Sequence, residues 1–481
     1  MTTIITNTPT RIAMALAFAG LLSACKVGKN YQRPELPLPQ QFSSVDSANS
    51  LSYADTSSIA DIQWQEFFTD PALQALISKG ITYNNNLQAA IKRMDQAQQQ
   101  VRQAKLLQLP EVNLQIQGSI NRVSDNSLNG LSVGTFLGKS YVENYVTSLN
   151  FSWEADIWGK IRRQQEVTIA SYLQQQEAVK AVQTQLISDI AQGYYNLLML
   201  DKQLEITKNN LLLNDSLVLA TRALRDGGSV TTLAVQQVES QRQATALLIP
   251  QLEESIVLQE NALQLLTGQN PGTIEGRSTL SQQTLREQLS TGLPIAMVSR
   301  RPDVRSSEMA LTVANARVGL QQANMYPALN ITAGGGLESF KSSNWWSVPN
   351  SLFGMAAGTI LQPIFNRRNL KTQYEVAKLQ REEAVANFRQ SVLQATSEVS
   401  NALTRTAKLK EQRVIADAQV DTLRSAVQNA QLLFKSDMAN YLEVITAQTN
   451  ALQAELNVAT IQRSQLGVVV ELYRSLGGGY K

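Results

Sequence analysis

Few residues in this chain could carry covalent chemistry. Cys25 is the only cysteine among 481 residues, and there is no histidine. One thiol cannot close an intrachain disulfide. Without histidine the commonest general base and metal ligand is missing, so Cys–His nucleophiles and Cys/His zinc clusters are excluded. Carboxylate, lysine or serine chemistry stays open in principle, but no constellation of residues supports it, and an enzyme is not expected. The setting of the thiol is more informative. Arg11 precedes an apolar run over 12–22, and Ser23 and Ala24 follow it. A short apolar run behind a positive charge and ending in small residues is a secretory signal, too short for a membrane-spanning helix. Cys25 stands directly at its processing site.

Leu22-Ser23-Ala24-Cys25 resembles a bacterial lipoprotein signal. That resemblance implies a diacylglycerol on the Cys25 sulfur, with the cysteine as the first mature residue; an ordinary signal with an incidental cysteine is the alternative. Lys26, not aspartate, comes next, which in such lipoproteins favours sorting to the outer membrane. Residues 1–24 are therefore the expected signal peptide, and 25–83 a lipidated N-terminal segment and equatorial region.

The 42 basic and 39 acidic residues leave a net charge of +3 with no long run of either sign. A nucleic-acid partner, which would want a basic patch, is not expected. After the signal no stretch nears the roughly 18 apolar residues of a membrane helix. A membrane-spanning mature chain would have to cross as strands of a closed barrel.

The elements that would do so are written twice. Leu109-Pro-Glu-Val-Asn-Leu is answered by Tyr326-Pro-Ala-Leu-Asn-Ile, with Ala97 and Val101 upstream matching Ala314 and Val318. Glu177-Ala-Val179 pairs with Glu383-Ala-Val385, Leu233-Ala-Val235 with Leu442-Glu-Val444, and Leu266-Thr-Gly268 with Leu476-Gly-Gly478. The period is far longer than a solenoid repeat, and the expected boundaries are 84–290 and 291–481. Each half opens with a helix rich in Ala, Gln and Arg (84–108 and 302–325), ended by proline. Alternating segments follow over 112–120, 145–153 and 329–337, the period of a strand with two unlike faces. A fourth segment, 352–361, is small and apolar and shows no alternation that assigns its faces. Trp153 suits an interfacial aromatic position, and the glycines of Gly334-Gly-Gly336 make room within a strand. Long helices are predicted over 157–225 and 230–266, then 367–435 and about 441–476, with a kink at Pro250. Val182, Leu186, Ile190, Gly193, Leu197, Leu200, Leu204, Thr207 and Leu211 follow a coiled-coil seam. Gly227-Gly228 and 436–440 mark the two reversals, and Gly477-Gly-Gly479 a helix stop and flexible tail.

Four strands cannot close a membrane barrel, for which about eight is the minimum. Two copies would give about eight strands and a filled core; three would give about twelve and an aqueous lumen. Asn113, Gln115, Gln117 and Asn150 would then face water. A solid helical bundle and a soluble sheet are the competing architecture.

Further motifs make the match specific. Val27-Gly28-Lys-Asn-Tyr31-Gln-Arg33-Pro34, Trp64-Gln-Glu-Phe67-Phe-Thr-Asp-Pro71, Arg300-Arg-Pro302-Asp303-Val304, Leu361-Gln-Pro363-Ile-Phe365 and Leu472-Tyr-Arg-Ser-Leu476-Gly-Gly-Gly479 occur in this order. With the lipid cysteine, the chain resembles the outer-membrane factor lipoproteins of tripartite efflux pumps, the TolC/OprM-like channels, over nearly the whole mature length. The resemblance implies an α+β membrane protein with an internal duplication. In it a homotrimer shares a transmembrane β-barrel, four strands per chain, continuous with a long periplasmic α-helical barrel. It implies a periplasmic adaptor, an inner-membrane transporter of the resistance-nodulation-division class and outer-membrane lipid as partners. It implies no cofactor beyond the lipid on Cys25, and no catalysis. The function implied is an exit channel for drugs or other small molecules; conduits for type I protein secretion or metal-ion efflux remain open, as does a non-pore lipid-anchored periplasmic scaffold. Relatives close the periplasmic end with helix tips and rings of charge, so Arg225, Asp226, Asp437 and Glu443 are the candidate gate residues. The second tip departs from the pattern, with Ser436-Asp437 in place of a glycine turn and Ala439 where a charge is common.

Overall fold

The computed structural model describes residues 27–35, 58–284 and 299–480. Cys25, the signal 1–24 and the expected boundary at 290/291 lie outside the described residues.

The described chain runs α1 (Trp64–Phe67), α2 (Pro71–Tyr83), α3 (Asn85–Leu106), β1 (Glu111–Asn121), α4 (Leu128–Leu137), β2 (Val142–Ala155), α5 (Lys160–Asp226) and α6 (Thr232–Leu266). It continues with α7 (Pro302–Ala323), β3 (Ala328–Ser339), β4 (Leu352–Leu361), α8 (Asn369–Lys435) and α9 (Tyr441–Ser475). The duplication is visible in the lengths. α3 and α7 each have 22 residues, α5 and α8 each 67, and α6 and α9 each 35. At 1.5 Å per residue, 67 residues make a helix of roughly 100 Å.

The constant lengths also correct two of the matched pairs. Lys160 begins α5 and Asn369 begins α8, 209 residues on. At that offset Glu177 falls on Ala386 rather than Glu383. Gly268 (φ 69°) falls on Gly477 (φ 94°), one residue from the expected match. Short identities along a helix slide easily; helix ends and positive-φ residues do not.

The two repeats do not make two compact units, because each unit draws on both. The strand-bearing unit takes Gln96–Leu173 and Met309–Ala386 together with the described 27–34. Its single sheet runs in the order β1-β2-β3-β4, every neighbour antiparallel. Arg163 anchors the N-terminal segment here, donating to the carbonyls of Val27 and Gly28 at 3.3 and 3.0 Å. Gly28 and Gly319 approach so closely that a Cβ on Gly28 would lie 2.8 Å from the Gly319 Cα. Apolar α4, between β1 and β2, is an element with no periodic signal.

The helical unit holds Gln174–Glu308 and Asn387–Lys481 with the segment before Gln96, within the described residues. Asp70 caps α2, accepting from the Ala72 N–H at 2.8 Å, and Pro71 occupies the first helical position. The predicted seam of α5 is where burial falls: Leu186, Ile190, Leu197, Leu200 and Thr207 are all buried. Beyond Thr207 the line continues through buried Asn214 and Thr221, with apolar Leu217 and Val218 buried between them. Asn214 donates to Thr245 Oγ1 at 2.9 Å. α6 runs unbroken past Pro250 to Leu266. The tail expected to be flexible is packed instead. Gly477, Gly478 and Gly479 are buried, and a Cβ on Gly478 would enter the Tyr473 ring.

Candidate functional site

Residues directly opposite in antiparallel strands point to the same face, so the register sorts the sheet into two surfaces. One carries Val112, Leu114, Ile116 and Ile120 of β1, Leu149, Phe151 and Trp153 of β2, and Ile331 and Leu337 of β3. Val112, Leu114, Ile116 and Ile120 are 51–70% exposed, a set of large apolar side chains open to their surroundings. The other carries Asn113, Gln115, Gln117, Asn150 and Asn330, with a polar ladder through Asn150, Gln115 and Gln117. Gln115 donates to Gln117 Oε1 at 2.8 Å, Asn150 to Gln115 Oε1 at 3.3 Å and Asn144 to Glu338 Oε1 at 3.1 Å. A membrane barrel requires this division, with lipid on one side and water on the other. Aromatic groups mark both ends: Trp153 donates to the Gln108 carbonyl at 2.8 Å, and Tyr145 meets Trp345 at 5.3 Å.

The faces of β4, unreadable from composition, follow from its pairing with β3. Leu352, Gly354, Ala356, Gly358 and Ile360 lie with the apolar surface; Phe353, Met355, Ala357, Thr359 and Leu361 lie with the asparagines and glutamines. The glycines opposite make room as expected: a Cβ on Gly334 would sit 2.6 Å from Asn150 Oδ1, and one on Gly336 would enter the Thr147 carbonyl.

At the other candidate site the two helical reversals share one geometry. At the first, Gly228 has φ 78° and the Ser229 N–H reaches the Leu224 carbonyl at 2.8 Å. At the second, Asp437 has φ 63° and the Met438 N–H reaches the Leu433 carbonyl at 2.9 Å. Both are Schellman turns closed by a left-handed residue. Thr231 and Asn440 then cap the return helices, each accepting from first-turn amides. The tips meet through an apolar cluster of Leu217, Val218, Val238, Phe434 and Val444. Tyr441 donates to Gln237 Oε1 at 2.6 Å across 204 residues of sequence, a tie that no local pattern signals.

The four charges expected at the gate are all at these tips and exposed, yet each has a local role. Arg225 pairs with its neighbour Asp226 at 2.6 Å. Asp437 holds the turn, and Glu443 stands in the first turn of α9, where the helix dipole favours a carboxylate.

The sequence motifs are anchors instead. Phe67 stacks on Tyr473 at 3.9 Å, and Tyr473 donates to the Ile62 carbonyl at 2.7 Å. Burial works against ionisation of Asp70. Hydrogen bonds from Ser278, Tyr194, Gln283 and the Ala72 N–H outweigh it and hold the carboxyl below its usual range. Burial also pushes the Tyr194 phenol up to about 12. Arg301, 3% exposed, pairs with Asp303 at 2.6 Å and Glu398 at 2.9 Å and donates to the Ser475 carbonyl at 3.1 Å. Among the described residues no helix is long and apolar enough to cross a membrane, and no group of His, Cys, Asp and Glu could hold a metal.

The family model for outer membrane efflux proteins matches residues 76–269 and 293–478. The chain belongs to the outer membrane efflux protein family. Similar curated proteins include the cation efflux system protein CusC of Escherichia coli K12, 28% identical over 95% of this chain and 97% of its own. The probable efflux pump outer membrane protein TtgC of Pseudomonas putida is also 28% identical, over 98% of this chain and 96% of its own. The solved structure of the outer-membrane channel OprN, 25% identical, superposes with a TM-score of 0.85 over 95% of this chain and 100% of that one. The expected TolC-like fold, outer-membrane location and efflux-channel function are thus borne out. In this outer membrane efflux protein the two-faced sheet is the element that meets the membrane.

Proposed function

We propose that three copies of this chain form the outer-membrane exit duct of a tripartite efflux system. The carrying observation is the four-stranded sheet, apolar on one face and polar on the other, whose outer strands β1 and β4 each leave one edge unpaired among the described residues. Three copies supply about twelve strands, enough for a water-filled lumen. The duct catalyses nothing and needs no cofactor; a diacylglycerol on Cys25 adds an anchor in the membrane. A periplasmic adaptor docks at the helical end, and an inner-membrane transporter, of the resistance-nodulation-division class, supplies the energy. The tips at Gly228 and Asp437 form the resting closure, with Arg225, Asp226, Asp437 and Glu443 as its charges and Tyr441–Gln237 as its tie.

Small organic compounds are the cargo proposed. The likeness to the cation efflux system protein CusC supports a second reading, metal cations as cargo. The deciding experiment has two parts. The protein mass of the detergent-extracted particle should equal three chains; a folded single-chain particle would sink the duct and favour a scaffold. Co-expression with the neighbouring adaptor and transporter in a channel-deficient host should raise resistance to organic toxicants, and resistance to metal salts alone would select the second cargo.

A further inference from the structure

One end of the sheet collects positive charge. All four helix–strand junctions lie at that end, where α3 runs into β1, β2 into α5, α7 into β3 and β4 into α8. Lys105 stands in the last turn of α3, Arg162 in the first turn of α5, and Arg367, Arg368 and Lys371 at the start of α8. Each of the five is exposed and forms no ion pair among the described residues. The carboxylates nearby are committed elsewhere. Glu154 holds Lys160 at 2.9 Å, Glu166 holds Arg163 at 2.6 Å, and Asp156 accepts from the Ile161 and Arg162 amides at 2.9 and 3.0 Å. Glu111 accepts from Asn113 at 3.2 Å and alone stands against the five cations. The loops at the opposite end keep their charges balanced: Arg122 faces Asp125 at 4.0 Å, and Lys139 faces Glu143 at 3.9 Å.

The internal duplication repeats this placement. A shift of 209 residues, from the start of α5 to the start of α8, carries Arg162 onto Lys371, so both repeats set a free cation in the same turn. The same shift carries Gly159 (φ 77°) onto Arg368 (φ 64°), and Arg367 beside it has φ 55°. Glycine adopts that backbone at lower cost than arginine. The second repeat nevertheless holds two guanidiniums there.

Large apolar side chains accompany the cations. Leu106 and Leu109 are each 61% exposed, and Ile364 and Phe365 are 91% and 87% exposed. Aromatic rings stand at the same junction: Trp153, on the apolar face, donates to the Gln108 carbonyl, and Trp158 stacks on Tyr326 at 4.9 Å. Girdles of aromatic residues mark the levels at which a barrel leaves the hydrocarbon, so this junction lies among the lipid headgroups. Exposed apolar groups mixed with cations suit that layer, the first entering the acyl boundary and the second reaching phosphates. A water-filled lumen offers nothing to Ile364 and Phe365.

We infer that this basic collar binds acidic phospholipids, of the phosphatidylglycerol or cardiolipin kind, in the leaflet on the helical side of the membrane. The inference rests on the reading that the sheet meets the membrane, and it adds the lipid that the sheet selects. A guanidinium pairs with a phosphodiester through parallel N–H donors, and a lysine ammonium acts there as a point charge. A zwitterionic lipid brings its own ammonium and leaves the five cations uncompensated; an acidic lipid does not. Three copies would close the collar into a ring around the particle.

The test reconstitutes the purified particle in vesicles of phosphatidylcholine mixed with phosphatidylglycerol, one or the other brominated. Bromine quenches nearby tryptophan, and Trp153 and Trp158 stand at the collar. Quenching should be stronger when phosphatidylglycerol carries the bromine. That preference should fall in Arg162→Gln/Arg368→Gln/Lys371→Gln, by up to roughly fivefold for each engaged cation removed. Arg389→Gln/Lys410→Gln/Lys435→Gln, which removes the same charge elsewhere on the long helices, should retain it. The exposed pair Arg367→Gln with Lys371→Gln gives the same reading if the first triple variant does not assemble. Equal quenching by the two lipids in the unmodified chain, or equal loss in both triple variants, would overturn the inference. So would loss of the preference on adding inorganic phosphate at constant ionic strength, which would assign the cluster to the free ion. A shift in ion selectivity with unaltered quenching would place the cations in the lumen and also overturn it. Particle mass on the same preparation separates the failures. Three chains without a lipid preference leave the duct standing; one chain removes the duct itself.

Discussion

Asp437 and Gly228 occupy the same place in two copies of one turn, both left-handed, with φ of 63° and 78°. The aspartate does there what glycine does at lower cost, since a side chain in this region is disfavoured by roughly 1 kcal/mol. Asp437→Gly should therefore slow amide exchange over 433–440, while Asp437→Asn leaves it nearly unchanged. Faster exchange in the glycine variant would mean that the carboxylate itself holds the turn.

Charge at the tips is separable from turn geometry. Asp437→Asn and Glu443→Gln should each lower cation preference in planar-bilayer recordings if three copies bring these carboxylates round a narrow axis. Tyr441→Phe removes the bond to Gln237, worth about 1 kcal/mol, and should raise the open-to-closed ratio roughly fivefold. Unchanged conductance in all three would place the closure elsewhere on the helices.

The two sheet faces predict opposite responses to the same residue. Ile116→Arg puts a cation into lipid, at a cost of about 2–4 kcal/mol near the midplane, and should reduce the heat-resistant assembled species on gels. Gln115→Arg, one residue away, should assemble normally and shift selectivity toward anions. Equal defects would contradict the assignment of faces.

The Arg301 anchor should be costly to break. Arg301→Ala removes a buried guanidinium from Asp303 and the Ser475 carbonyl and leaves Glu398 with Arg474 alone at 3.2 Å, and a loss of about 2 kcal/mol is expected, read as a lower denaturant midpoint. Acid acts on the same unit through Asp70 and Asp303, both held below the ordinary 3.8 in the fold. Their contribution is complete above that value and disappears as pH falls through the lower folded values. Circular dichroism should thus show helix loss beginning below about pH 4, and Asp70→Asn should weaken that step.

Cys25→Ser should abolish incorporation of radiolabelled palmitate and leave the conductance of the extracted particle intact. Label retained in the variant would place the lipid on another residue.

Much of this protein could be read in advance because its elements announce themselves in different ways. Strands β1 to β3 alternate over their length, and the long helices lack proline except at Pro250, so both were legible. β4 was not, since a strand of small apolar residues has no polar phase; only its pairing with β3 supplied one. α4 was missed because Leu128–Leu137 is short, carries two glycines and mixes Asn129, Ser132 and Thr135 with its apolar residues. The tail was misread because glycine signals freedom in a sequence, whereas here it allows close packing on Tyr473. At the tips the left-handed Asp437 and the Tyr441–Gln237 tie depend on backbone shape and distant pairing, which local composition does not encode.

Phe353, Met355 and Leu361 stand on the same side of the sheet as the asparagine and glutamine ladder. Around a three-copy duct, one strand in four would be greasy on its inner side, giving three dry lanes between broad wet ones. A solute with an oily ring system could travel along such a lane, exchanging one weak contact for the next, while ions keep to the wetted wall. Amphipathic molecules would then leave by sliding rather than by free diffusion, and bulk conductance would say little about how fast they go.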